Sequence, residues 1–377
     1  MKPILNYTLI MLLMLGGIQS FAQNGKAAEN DKEIKKKLTR YEETDLRQQG
    51  EFLAAVQSGN LEEAKAKFKA HYFYAFDDGG ENAFTRAIKN KDLDMIEFLE
   101  EKAVINLANQ AGEIPLILAL ESGDEKVIDL VMERASPSLQ DEAGRSPVMV
   151  VLEMGDLVML RELIEKGAEL NEKSQGLTPI FRAVALNNMD AVAMLAHHGA
   201  DPSIANEEGE IPLYYAVRSG QNVMTGILLH KSSQPQVDAN WRNPEGEPLL
   251  NLSIKDNQDQ ITKMLLDFGA DIHRTDYLEN TPLNLAAEQG DPALVKILLA
   301  LGADPNHRNM MGETPILSAA REGHGAVADI LAQAGADAGA QDYNGLTATD
   351  RHNFGDLTDP EIVDAVMEVS NNNSSDY

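Results

Sequence analysis

Proline recurs in this chain at a nearly constant spacing. Pro115, Pro147, Pro179, Pro212, Pro248, Pro282 and Pro315 are separated by 32, 32, 33, 36, 34 and 33 residues. A fixed period of this length means one supersecondary unit copied and stacked, because such a unit cannot bury its apolar face alone. Dividing 377 residues into two or three ordinary domains is therefore the wrong frame. Within each period the residues keep one order. An apolar residue follows each Pro (Leu116, Val148, Ile180, Leu213, Leu249, Leu283, Ile316). Four residues after the Pro stands a small or apolar one: Ala119, Val151, Ala183, Ala216, Leu252, Ala286 or Ala319. Gly123, Gly155, Gly220, Gly290 and Gly323 come four residues later. A helical apolar pattern follows, as in Leu294, Ile297 and Leu298, and five units then close on Gly-Ala at Gly167, Gly199, Gly269, Gly302 and Gly335.

Each residue type has a physical task. Proline fits the first turn of a helix, where its missing N–H is not needed. Ser146, Thr178, Thr281 and Thr314, just before it, are suited to cap the free amides of that turn. Alanine in the first helix lets a second helix approach closely. The first glycine permits a left-handed turn between helices, and the second Gly-Ala ends the second helix. Polar residues after it form a turn or hairpin finger.

This pattern resembles ankyrin repeats over roughly residues 49–367. Its best unit runs from Asn280-Thr281-Pro282-Leu283 through Gly290 to Gly302-Ala303-Asp304. The resemblance implies an all-α repeat solenoid of helix–turn–helix units with β-turn fingers, about ten in number. Two degenerate units, near Ala55/Gly59 and Phe84/Ala87, precede those with Pro, and one near Leu346-Thr347-Ala348 follows. The chain departs from the family two residues after each Pro. There the family's usual His is replaced by Ile117, Met149, Phe181, Tyr214, Leu250, Asn284 or Leu317. Apolar packing is therefore expected to replace the polar turn network. Extra residues at 232–236 are expected to perturb the stack.

Residues 1–22 have the parts of a secretory leader: Lys2, the apolar run Leu9–Leu15, and small residues Ser20 and Ala22 flanking Phe21 before a cut at Gln23. The run is too short to anchor in a bilayer, and the absence of cysteine excludes lipidation there as well as disulfides and thiolate metal sites. Export to a bacterial periplasm, or secretion, is the expected destination, with no membrane insertion after cleavage. Residues 23–48 read as a polar linker and a charged capping helix over 32–47. A last helix is expected at 360–367 and a polar tail at 368–377.

Sixty acidic against 32 basic residues, a net charge of −28, argue against nucleic acid as a partner. The acidity points to a basic partner or to solubility. No phosphate-binding glycine loop or hydrolase motif is present, so the chain reads as noncatalytic and without a cofactor. His273 and His307, one repeat apart, leave a weak metal site conceivable. A metal-dependent or enzymatic module in the divergent N-terminal repeats is a remote alternative.

A protein partner is the expected ligand, since on ankyrin repeats the fingers and the concave helix surface are the usual binding face. Finger tips are polar in mid-chain, at Glu207-Glu208 and Pro244-Glu245. They become apolar or aromatic at Tyr277-Leu278, Met310-Met311 and Tyr343-Asn344. Trp241 lies just upstream beside Arg242, Arg308 is its repeat equivalent, and Arg218, Glu288 and Arg321 share one position on the first helix. This stripe has the composition of an interface hot spot. The other reading is that these side chains fold back on neighbouring fingers. The chain then acts as a scaffold in the periplasm or as an exported effector against a host or competitor protein.

Overall fold

The computed structural model describes residues 44–100, 105–230 and 237–350. The expected leader, the extra residues at 232–236, the closing helix at 360–367 and the tail lie outside them. The chain divides into two units, Met1–Ala135 and Ser136–Tyr377.

The first unit holds α1 (residues 44–57), α2 (Leu61–Lys67), a short 3-10 helix (Ala70–Tyr74), α3 (Ala83–Asn90), α4 (Leu93–Glu100), α5 (Pro115–Ser122) and α6 (Glu125–Met132). Helix α1 runs through the expected 48/49 boundary between cap and repeats. The second unit holds six pairs among its described residues. These are α7 (Pro147–Met154) with α8 (Leu157–Glu165), α9 (Pro179–Ala185) with α10 (Met189–His197), and α11 (Pro212–Arg218) with α12 (Asn222–Leu229). Then come α13 (Leu249–Lys255) with α14 (Asp259–Asp267), α15 (Pro282–Gln289) with α16 (Pro292–Ala300), and α17 (Pro315–Glu322) with α18 (Gly325–Gln333). The described residues contain no β-strand, and none of their helices is long and apolar enough to cross a membrane.

Local chemistry sets the helix ends. Ser146 Oγ accepts from the amide of Met149, and Thr178 Oγ1 from that of Phe181. Thr281 makes a reciprocal capping box with Asn284. Thr314 does not cap; its hydroxyl is buried without a partner. Aspartates cap several second helices: Asp124, Asp156 and Asp291 each accept from two amides. In the turn between helices Gly290 has φ 72°, and where glycine is missing Asn187 and Asn257 take the same left-handed conformation at 53° and 54°. Asparagine tolerates that region better than other side chains.

Ala183, Ala216, Ala286 and Ala319 are fully buried, so the close approach expected of the first-helix alanines is realised. Beside them lie the apolar faces of the second helices, such as Val192 with Leu195 and Val295 with Leu298. The last core patch is Leu317, Ala320, Ala340 and Ala348, with Ala348 in the expected final unit.

One alignment needs correction. In the fifth proline unit the helix starts at Leu249, and Pro248 occupies the capping position. Each position of that unit is therefore one residue later than the prolines suggest. Ser253, not Leu252, takes the alanine place, and Asn251, not Leu250, stands two residues into the helix. The expectation that apolar packing alone joins the turns is also corrected. Asn251 is buried and donates Nδ2 to the carbonyl of Asn280 in the next unit at 3.0 Å. Asn284 donates likewise to Glu313 at 3.4 Å.

Candidate functional site

All the described fingers but the one at Ser174–Leu177, which closes by backbone bonds between those two residues, begin with an Asp or Asn. Its Oδ1 accepts the amide four residues on: Glu81 to Asp77, Glu113 to Asn109, Arg145 to Asp141, Glu210 to Asn206, Glu247 to Asn243, Asn280 to Asp276, Glu313 to Asn309 and Leu346 to Asp342, all within 2.7–3.0 Å. The backbone closes the same loop, as in Asn309 N–H to Glu313 O at 3.0 Å. Each such finger is thus a side-chain-braced hairpin. Sequence reading missed this rung, although an Asp or Asn six residues before the helix start was its visible signal.

Neighbouring fingers of the second unit also lock together. The amide of Met310 donates to Leu278 O at 2.9 Å, and that of Tyr343 to Met311 O at 3.2 Å. Side chains of Glu207, Pro244 and Tyr343 lie against the tip glycines Gly176, Gly209 and Gly312 of the preceding fingers. Arg242 donates one Nη1 to Gly246 O (2.7 Å) in its own finger and to Thr275 O (2.9 Å) in the next. Arg308 repeats this with Gly312 O (2.9 Å) and Gln341 O (2.6 Å). The structure thus gives these two arginines a bracing role between fingers.

On this frame Tyr277 is 63% exposed, Met310 56%, Met311 46% and Tyr343 73%. Leu278 and Trp241 are half-buried. Tyr343 rests on Gly312 and Trp241 packs on Tyr214 at 5.3 Å between ring centroids. Even so, four large side chains from three consecutive tips remain open to solvent.

Beneath the fingers runs a row of cations, each six residues after its helix start. Arg218 pairs with Glu210 at 2.8 Å and lies over the rings of Tyr214 and Tyr215. Arg321 pairs with Glu288 at 2.8 Å and Glu322 at 2.7 Å, with Glu313 at 3.4 Å. Lys255 is the member that the shifted alignment concealed. Its Nζ lies 2.7 Å from Glu247 and 2.9 Å from Asp276, with the Tyr277 ring 5.2 Å away. Burial disfavours the Lys255 ammonium, but the two carboxylates outweigh it and raise its pKa. Asp276 is the mirror case. Burial opposes its ionisation, and Lys255 with the amide and side chain of Asn280 outweighs burial and lowers its pKa.

His307 donates from Nε2 to Glu279 O at 2.9 Å, and His273 is exposed. Among the described residues no group of three or more His, Asp or Glu could hold a metal ion. What the site offers is a stiff row of exposed apolar tips above a row of ion-paired helix cations.

The family model described as ankyrin repeats (3 copies) matches residues 116–206 and 250–342. Over these two stretches the chain carries ankyrin repeats. Between the two matches the described residues hold the helix pair α11 and α12, the finger from Asn243 to Glu247 and the shifted start at Leu249. The solved ankyrin repeat domain of Bcl-3, a unique member of the IkappaB protein family, is 25% identical. The alignment covers 55% of this chain and 93% of that one, with a TM-score of 0.49. No curated protein matches the chain.

Proposed function

We propose that this protein is a noncatalytic scaffold, exported to a bacterial periplasm, that holds a protein partner on its C-terminal finger tips and the adjoining concave helix face. Ankyrin repeats are protein-interaction scaffolds. The observation that carries the assignment of the face is the run of exposed Tyr277, Met310, Met311 and Tyr343 on fingers locked to one another by backbone bonds. A preformed surface loses little conformational entropy on binding, so exposed apolar area there converts efficiently into affinity. The leader-like residues 1–22 support export.

The test pairs the protein with a Tyr277→Ala/Met310→Ala variant. Partners are captured from an envelope fraction, purified and titrated against both forms. Binding weakened at least about tenfold, with the melting temperature nearly unchanged, is expected of a hot spot. A large drop in melting temperature would mean that these side chains serve the packing of the fingers instead. Detection of the mature chain in culture medium rather than periplasm would replace the periplasmic scaffold by the exported effector.

A further inference from the structure

The tip row of the second unit changes character along its length. Glu207, Glu208, Glu245 and Glu279 are exposed on the tips of successive fingers, and none has a Lys or Arg within ion-pair distance among the described residues. Acidic residues lower on the fingers are different: Glu210 and Glu247 are neutralised by Arg218 and Lys255. The arginines of these fingers stand upstream of the tips and are bonded to backbone carbonyls, Arg242 to Gly246 and Thr275, and Arg274 to Asn240. The uncompensated negative charge therefore collects along the tips themselves and adjoins the apolar row from Tyr277 to Tyr343.

We infer that this edge binds an extended polypeptide segment whose basic side chains lie on Glu207, Glu208 and Glu245 and whose apolar side chains lie on Tyr277, Met310 and Tyr343. This rests on the scaffold reading and adds the chemistry and direction of the partner. A finger is two chain segments wide, about 10 Å, so the five fingers from Glu207 to Tyr343 span about 40 Å, the length of about 12 extended residues. Charge selects the occupant. A second copy of this acidic edge, a nucleic acid or an anionic lipid surface would each meet like charge, whereas a Lys/Arg-bearing segment is attracted.

The experiment is a selection of random 12-residue peptides displayed on phage against the full chain. Synthetic copies of the enriched peptides are then titrated against the protein and two variants. The first variant is Glu207→Lys/Glu208→Lys/Glu245→Lys, with the three Gln substitutions as a milder form should reversal impair folding. The second is Tyr277→Ala/Met310→Ala. Enriched peptides are expected to carry clustered Lys or Arg beside aromatic or aliphatic residues. Each variant is expected to weaken them at least about tenfold, and raising salt from about 50 to 500 mM to weaken them comparably. Apolar peptides without basic residues, lost on the second variant and indifferent to the first, would overturn this inference and leave the scaffold reading standing. No peptide sensitive to either variant would overturn both.

Discussion

Gly312 shows how one atom can hold two fingers in place. Its φ is 76°, and a Cβ built on it would stand 2.7 Å from the Tyr343 ring and 2.9 Å from the Tyr343 amide nitrogen. Gly312→Ala combines left-handed strain with that clash, and the strain alone costs roughly 1–2 kcal/mol. A lowered urea midpoint is expected, and an unchanged midpoint would mean that Tyr343 does not rest there. Asp276 makes a second prediction at this scale. Its folded pKa is depressed, so its stabilising effect is complete above the unfolded carboxyl value of about 4 and fades as pH falls through the folded one. Lys255, raised, contributes below the ordinary lysine value and loses its effect as pH climbs through the folded one. Asp276→Asn keeps an oxygen for the amides of Leu278 and Asn280 but loses the ion pair. The variant is expected to be less stable than the parent at pH 7, and the gap to narrow as pH falls below the unfolded carboxyl value of about 4, as read by urea midpoints. A gap that persists unchanged at pH 3 would assign the difference to something other than ionisation.

At the scale of the element, two helices that look alike in sequence begin differently. Thr281-Pro282 and Thr314-Pro315 carry the same dipeptide. Only Thr281 caps, through Asn284, while the buried Thr314 hydroxyl is unpartnered. Valine keeps the shape and removes the hydroxyl. Thr281→Val is expected to cost about 1 kcal/mol, the usual value of a cap. Thr314→Val is expected to be neutral or mildly stabilising, because it removes a desolvated polar group. Equal costs at both sites, by chemical denaturation, would contradict this distinction. Asn284 closes the reciprocal half of the box at Thr281, and Leu317 holds its place in the later unit.

For the molecule as a whole, repetition predicts tolerance. Contacts run between nearest neighbours, so removing one internal copy shortens the stack without leaving an unmatched face. Deleting residues 282–314 restores a Thr281-Pro315 junction identical in kind to the one removed. The shortened chain is expected to melt lower and to keep its helical circular dichroism per residue. Loss of that helical signal would count against a stack held by neighbour contacts.

The sequence by itself determined the period, the helix pairs, the left-handed turns and the polar-to-apolar change along the tips. All of these are local: proline at a first turn, glycine at positive φ, alanine where helices touch. The finger rung was also local, but the Asp or Asn before most units read simply as loop. What the tertiary structure decided concerns partners about 30 residues apart. Proline marked the wrong residue in one unit, because Pro248 serves as a cap and Leu249 begins the helix. That single shift concealed Lys255 among the first-helix cations. Nor does composition reveal which arginines brace carbonyls, or that Tyr343 lies on Gly312 while Tyr277 stands beside Lys255. Those choices are made when one repeat packs on the next, and a periodic sequence specifies the packing partner only through the side chains that meet there.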